Sequence, residues 1–129
     1  MNTNSLALST LQWIAAAVLA WAGVTKFLGT AGNVYIFTLL EMEPFGRWLI
    51  GVIEVGAALM LAGNRFAALG ALFGFGTMCG AVIAHVSFLG VSVHGDGGMH
   101  IALLTLVIAA TSYIVVARRS SLPLIGDTL

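Results

Sequence analysis

Three ionisable side chains interrupt otherwise apolar stretches of this sequence: Lys26, Glu54 and His85. A charge buried alone in apolar surroundings is costly, so such groups are usually paired or take part in function. Glu54 has no basic residue within one helical turn, which predicts a partner from another part of the chain. Lys26 is the first choice for that partner, and His85 is the second. Such a cluster could relay protons, bind a polar ligand, or form a structural pair.

The elements that must position these groups are four apolar segments, approximately 6–28, 46–62, 66–89 and 99–117. A helix of about 20 apolar residues is long enough to cross the hydrocarbon core of a bilayer. The chain is 60% hydrophobic and 8% charged, whereas soluble domains are about 25% charged. The sequence therefore predicts an all-α, integral membrane four-helix bundle in a lipid bilayer, with residues 1–129 forming one domain.

Two further segments flank these helices. Between the first and second helices, Val34, Phe37 and Leu40 recur at helical spacing with polar residues between them. This pattern favours a short amphipathic helix at the membrane interface, with an ordered loop folded over the bundle as an equal alternative. After the fourth helix, residues 118–129 are predicted to form a poorly ordered tail.

Helical geometry places one polar group from each apolar segment in the same half of the bundle. We call this the outer half, because it holds the segment between the first and second helices. The sequence predicts a polar pocket there for a small molecule. Its primary residues are Lys26, Glu54, His85 and His100, and its secondary residues are Arg47, Asp96 and His94.

Several classes of partner are disfavoured. Five basic and five acidic residues leave no basic patch for nucleic acid. The histidines lack HxxxH or HxH spacing, so no metal site is predicted. His85 and His100 lie at similar depth on successive helices, and such a pair can ligate haem, although the pattern is weakly specific. The short chain has no inverted repeat or broken helix of the kind found in transporters.

Small residues predict contact surfaces on the third apolar segment. Gly70 and Gly74 lie on one face, and Gly76 and Gly80 form a second pair on another face. Small residues at a spacing of four let membrane helices approach closely. We expect both pairs to contact other helices, either within this chain or in a second subunit.

Orientation follows from the basic residues near the helix ends. Four spans put both termini on one side of the membrane. Arg65, Arg118 and Arg119 would share that side, against Lys26 and Arg47 on the other. The positive-inside rule therefore predicts cytoplasmic termini.

Several motifs occur in a specific order. They are AGVTKF at 22–27, Phe37, Glu43-Pro44, GVIEVGAALML at 51–61 and MCGAVIAH at 78–85. This order resembles the DoxX and DoxX-like family of small four-helix bacterial membrane proteins. The resemblance runs from about residue 11 to residue 85, and the fourth helix matches only in being apolar. It implies an inner-membrane bundle with Lys26, Glu54 and His85 as its polar signature. Some relatives are linked to quinone-coupled sulfur oxidation or oxidative-stress complexes.

Two functional hypotheses follow. In the first, the protein is a membrane subunit of a quinone-linked redox system. Glu54 or His85 relays protons, and Lys26 polarises a ring oxygen of the quinone. In the second, it is a non-enzymatic accessory or assembly subunit whose Lys–Glu–His cluster is structural and whose small-residue faces bind a protein partner or a second copy. Whether the protein is an enzyme stays open, and quinone is preferred to haem as the cofactor.

Overall fold

The computed structural model describes residues 3–123, and every regular element in that range is helical. The α-helices are α1 (Thr3–Leu28), α2 (Ala31–Leu39), α3 (Phe45–Ala62), α4 (Ala67–Ala84) and α5 (Met99–Ala117). A π-helical turn, His85–Leu89, continues α4, and Arg119–Ser121 forms one turn of 3-10 helix. The predicted all-α fold is confirmed.

Four of these helical stretches are long and apolar enough to cross a membrane: Asn4–Leu28, Phe45–Ala62, Ala67–Leu89 and Met99–Ala117. They correspond to the four apolar segments of the sequence, with boundaries that differ by at most two residues. The chain thus has the four spans of a multi-pass membrane protein.

The spanning helices form a ring in the order α1, α3, α4, α5, because α1 and α4 each pack against both α3 and α5. The α1–α3 crossing is especially close. A Cβ atom on Gly23 would lie 2.6 Å from Val55 Cγ2 and 2.8 Å from the Gly51 carbonyl oxygen. The buried core consists of small and branched apolar residues: Ala15, Ala16, Leu19, Ala57, Ala58, Leu61, Ala71, Met78, Leu104, Val107, Ala110 and Ile114.

The two glycine pairs of α4 have opposite surroundings. A Cβ on Gly70 would lie 2.7 Å from the Ala57 carbonyl oxygen, and one on Gly74 would lie 2.7 Å from Leu19 Cδ1. The predicted helix contacts of this first pair are therefore confirmed. Around Gly76 and Gly80, no described atom lies within 4 Å of the position that a Cβ would take. The second pair makes no helix contact within the described part of the chain.

The segment between α1 and α3 is a helix rather than a loop. Ile36 and Phe37 of α2 are buried with Val93 in a small apolar cluster, so α2 and the α4–α5 loop together cover the outer end of the bundle. At the chain's far end, Leu122 is buried, which differs from the poorly ordered tail predicted from residue 118. The rest of that predicted tail, 124–129, lies outside the described residues.

Polar contacts tie together the inner end of the bundle. Arg118 Nη2 donates to Asn64 Oδ1 at 3.3 Å, which places the α3–α4 turn beside the end of α5. Gln12 of α1 is buried and donates to the Leu61 carbonyl at 2.6 Å. That carbonyl lies in the last turn of α3, where no helical N–H follows to satisfy it. These contacts leave Lys26 and Arg47 at the opposite, outer end.

Candidate functional site

A buried ion pair joins α1 to α3. Lys26 Nζ donates to Glu54 Oε1 at 3.0 Å and lies 2.8 Å from Oε2, although its direction toward Oε2 is unsuitable for a hydrogen bond. The ammonium also donates to the Ala22 carbonyl at 3.4 Å. Only 7% of Lys26 and 2% of Glu54 is exposed. The predicted tertiary partner of Glu54 is therefore confirmed as Lys26, and the close α1–α3 crossing brings the two within reach.

His85 lies where α4 changes to a π-helical turn. Its ring Nδ1 is 2.6 Å from the Gly90 carbonyl oxygen, and because a carbonyl only accepts, Nδ1 carries the proton. The other nitrogen, Nε2, is buried and has no hydrogen-bond partner among the described residues. A neutral His85 thus presents an unpaired lone pair, which is a hydrogen-bond acceptor and a proton acceptor.

The fourth primary residue, His100, stands beside His85. The ring centroids are 5.3 Å apart, and the rings are tilted by 36°. His100 comes from the first turn of α5, so this contact joins α5 to the end of α4.

A cavity of about 830 Å³ connects these side chains. Lys26, Glu54, His85 and His100 all line it, so the structure brings the four predicted primary residues to one space. Most of the remaining wall is apolar and comes from all five α-helices, including Phe37 of α2. The cavity therefore has a polar group of residues within an otherwise apolar enclosure.

The cavity is open toward the lipid-facing surface. Trp21, Phe73 and Leu103 line it, yet 68%, 47% and 37% of these residues is exposed. Gly76 and Gly80 also line it and are exposed. All of these residues lie within membrane-spanning helices, so the openings lie at the depth of the lipid chains.

Arg47, a predicted secondary site residue, does not line the cavity. Its Nε and Nη2 donate to the Glu43 carboxylate at 2.9 and 2.7 Å, and its Nη1 donates to the Lys26 carbonyl. This hydrogen bond with Arg47 lowers the pKa of Glu43. Arg47 thus has a structural role. It donates a hydrogen bond to a carbonyl in the last turn of α1 and places a positive charge at that helix end.

Asp96 lines the cavity, but its carboxylate accepts hydrogen bonds from backbone N–H groups. Its carboxylate accepts N–H bonds from Val93 at 3.0 Å, Gly98 at 2.9 Å and His100 at 2.8 Å. The bonds from Gly98, His100 and Val93 lower the pKa of Asp96 from its ordinary 3.8 to about 2. Asp96 therefore holds the α4–α5 loop and the start of α5, and through that start it positions His100.

We expect Asp96→Ala to loosen this loop. The Val93, Gly98 and His100 amides should exchange hydrogen faster than in the wild-type protein, as measured by hydrogen–deuterium exchange with mass spectrometry. Because the folded protein lowers this pKa, the contribution of Asp96 to stability is complete above pH 3.8 and is lost as the pH falls through about 2. Glu41→Ala, at an exposed residue, is the control. Unchanged exchange in Asp96→Ala would contradict this role.

The remaining secondary residue, His94, is exposed at the cavity's edge, with its ring 5.4 Å from that of Tyr35. Thr25 and Asn33 also line the cavity, although neither was among the site residues predicted from the sequence. Asn33 Nδ2 donates to Thr25 Oγ1 at 3.2 Å. Uncharged side chains of this kind give little signal in sequence, because a hydroxyl in a helix usually bonds a carbonyl of its own helix, as Thr25 does with Ala22.

Among residues 3–123, no three His, Cys, Asp or Glu side chains are grouped closely enough to hold a metal ion. Comparison of the chain with protein-family models, with curated proteins and with solved structures finds no match. The chemistry of the cavity and the sequence motifs therefore carry the functional assignment.

Proposed function

We propose that this protein is a DoxX-like membrane subunit of a quinone-linked redox system, and that its cavity binds the quinone headgroup. The observation that carries the proposal is the unpaired, buried Nε2 of His85, whose residue lines the same apolar cavity as the Lys26–Glu54 pair. The proposed location is the bacterial inner membrane with cytoplasmic termini, in keeping with the excess of arginines at the inner end.

The size and polarity of the cavity support this ligand class. Small-molecule sites usually enclose about 300–1,000 Å³ and are mostly apolar with a few placed polar groups, and this cavity encloses about 830 Å³. A quinone ring matches that pattern, because it is a flat apolar ring with polar oxygens at its ends. The openings at membrane depth suit a ligand that is dissolved in the bilayer.

Lys26 and His85 suit the oxidised and the reduced form of a quinone ring, respectively. The Lys26 ammonium has three N–H donors and is held by the Ala22 carbonyl and the Glu54 carboxylate, so it can also donate to a ring carbonyl. His85 Nε2 can accept the hydroxyl proton of the reduced ring. When bound, a quinone supplies a reversible carrier of electrons and protons. The protein's own residues orient the ring, neutralise charge at its oxygen and accept or return a proton.

The alternative is a non-enzymatic accessory or assembly subunit. The observation that favours it is the direct Lys26–Glu54 ion pair, which joins α1 to α3 without any ligand. In this case the glycine pair Gly76–Gly80, which makes no contact within the described chain, would bind a protein partner or a second copy.

We expect His85→Ala to weaken binding of a decyl-substituted para-benzoquinol by about tenfold, because a buried hydrogen bond to the headgroup is lost. Binding is measured by quenching of tryptophan fluorescence in mild detergent, since Trp21 lines the cavity. The control is Arg65→Ala, at an exposed residue between α3 and α4 that does not line the cavity. It should bind within about twofold of the wild-type protein.

Wild-type affinity in both His85→Ala and Glu54→Gln would contradict the proposal. Wild-type protein that binds neither quinone nor quinol would favour the accessory role. The visible spectrum before and after dithionite tests haem directly. A band that shifts on reduction would replace the quinone with a haem ligated by His85 and His100.

A further inference from the structure

Gly76 and Gly80 lie one turn apart on an exposed stretch of α4, and both line the cavity. Glycine is less favourable than alanine inside a helix, so it usually has a packing or backbone reason. Neither applies here. No described atom lies within 4 Å of either Cβ position, and neither residue has a positive φ. What the two glycines do create is a gap in the cavity wall.

The gap lies toward the outer half of α4, where residues of α3 and α4 both line the cavity. At Gly70 the two helices touch, since a Cβ there would lie 2.7 Å from the Ala57 carbonyl oxygen. Toward the outer half, Ile50 and Ile53 of α3 line the cavity together with Gly76 and Gly80 of α4. The two helices are therefore in close contact at Gly70, whereas the cavity lies against both of them toward the outer half.

We propose that Gly76 and Gly80 form a lateral passage for the apolar chain of the ligand. The polar headgroup lies at Lys26 and His85, and the chain leaves the cavity over the two glycines into the bilayer. This inference rests on the proposed function and narrows its ligand to the long-chain, lipid-soluble quinones. A side chain at either position would obstruct the passage. This explains why both positions are glycine although neither contacts another helix.

A ligand chain fits the gap better than a second copy of this protein does. The gap is continuous with a cavity that His85 lines, and the buried Nε2 of His85 has no hydrogen-bond partner among the described residues. A helix packed on Gly76 and Gly80 would close that opening but would leave the buried nitrogen without a partner. An amphipathic ligand accounts for both the unpaired nitrogen and the gap, because its headgroup reaches His85 while its chain fills the glycine gap.

The test uses two para-benzoquinones with the same ring, one with a decyl chain and one with a methyl group. In Gly76→Leu and Gly80→Leu, we expect decyl-quinone binding to weaken by about tenfold or more, and methyl-quinone binding to stay within about twofold of wild type. Gly56→Leu on α3 is the matched control, because it also has no atom within 4 Å of its Cβ position and does not line the cavity. It should leave both affinities unchanged.

Equal weakening of both probes, or no weakening of either, would overturn the passage while the proposed function stands. Loss of a cross-linked dimer in Gly76→Leu, with both probes bound as in wild type, would also overturn it and assign the glycines to a second copy. Binding of neither probe by the wild-type protein would overturn the proposed function and the passage together.

Discussion

Lys26→Met and Glu54→Leu, made singly, are each expected to lower the free energy of unfolding by about 3–5 kcal/mol, because either change leaves a buried charge without its partner. Glu54 is 2% exposed and Lys26 is 7% exposed, so little water is available to replace the lost partner. Unfolding is measured in mixed detergent by circular dichroism. Glu41→Leu, at an exposed loop carboxylate, is the control and should have little effect.

The double variant Lys26→Met, Glu54→Leu is expected to recover most of this loss. Replacing both members of a buried ion pair by apolar residues is often neutral, since neither charge then has to be removed from water. The expected result is therefore strong coupling between the two sites in a double-mutant cycle. Additive losses in the double variant would contradict a direct, buried pair.

The double variant also separates the two proposed roles of the cluster. It should be folded, yet it lacks the ammonium that we assign to the quinone oxygen. If it folds like the wild type and no longer binds decyl-quinone, the pair has a binding role beyond its structural one. If it folds and binds like the wild type, the hypothesis of an accessory subunit is favoured.

The second large effect is expected at the α3–α4 crossing. Gly70→Ala should lower the free energy of unfolding by about 1–3 kcal/mol, the usual range for overpacking. The added Cβ would lie 2.7 Å from the Ala57 carbonyl oxygen and 2.9 Å from the Leu61 amide nitrogen. Both are backbone atoms, so no side chain can rotate away and the helices must move apart.

Gly56→Ala should change the free energy of unfolding in the opposite direction to Gly70→Ala. No described atom lies within 4 Å of a Cβ at Gly56, so alanine should stabilise the protein by about 0.4–1 kcal/mol by restricting the unfolded chain. The same unfolding assay compares the two variants. Equal effects of Gly70→Ala and Gly56→Ala would show that α3 and α4 do not approach as closely as described.

The sequence by itself determined the four spanning helices and the depth of the polar groups. Long apolar runs have few alternatives, because a lipid bilayer offers no hydrogen-bond partners and the backbone must satisfy its own groups. An isolated charge in such a run must find a partner at its own depth, which is why Lys26 could be matched with Glu54. The same depth argument included Arg47 in the pocket, although the structure places its guanidinium on Glu43 and on the last turn of α1.

Only the tertiary structure decided which groups remain free and where the bundle opens. Gly70 and Gly76 belong to glycine pairs of the same spacing, yet one meets the α3 backbone and the other meets nothing within 4 Å. The π-helical turn directs His85 Nδ1 to Gly90 and leaves Nε2 unpaired. The physical reason is that spacing along a helix defines its faces, whereas the crossing of neighbouring helices decides which face they cover.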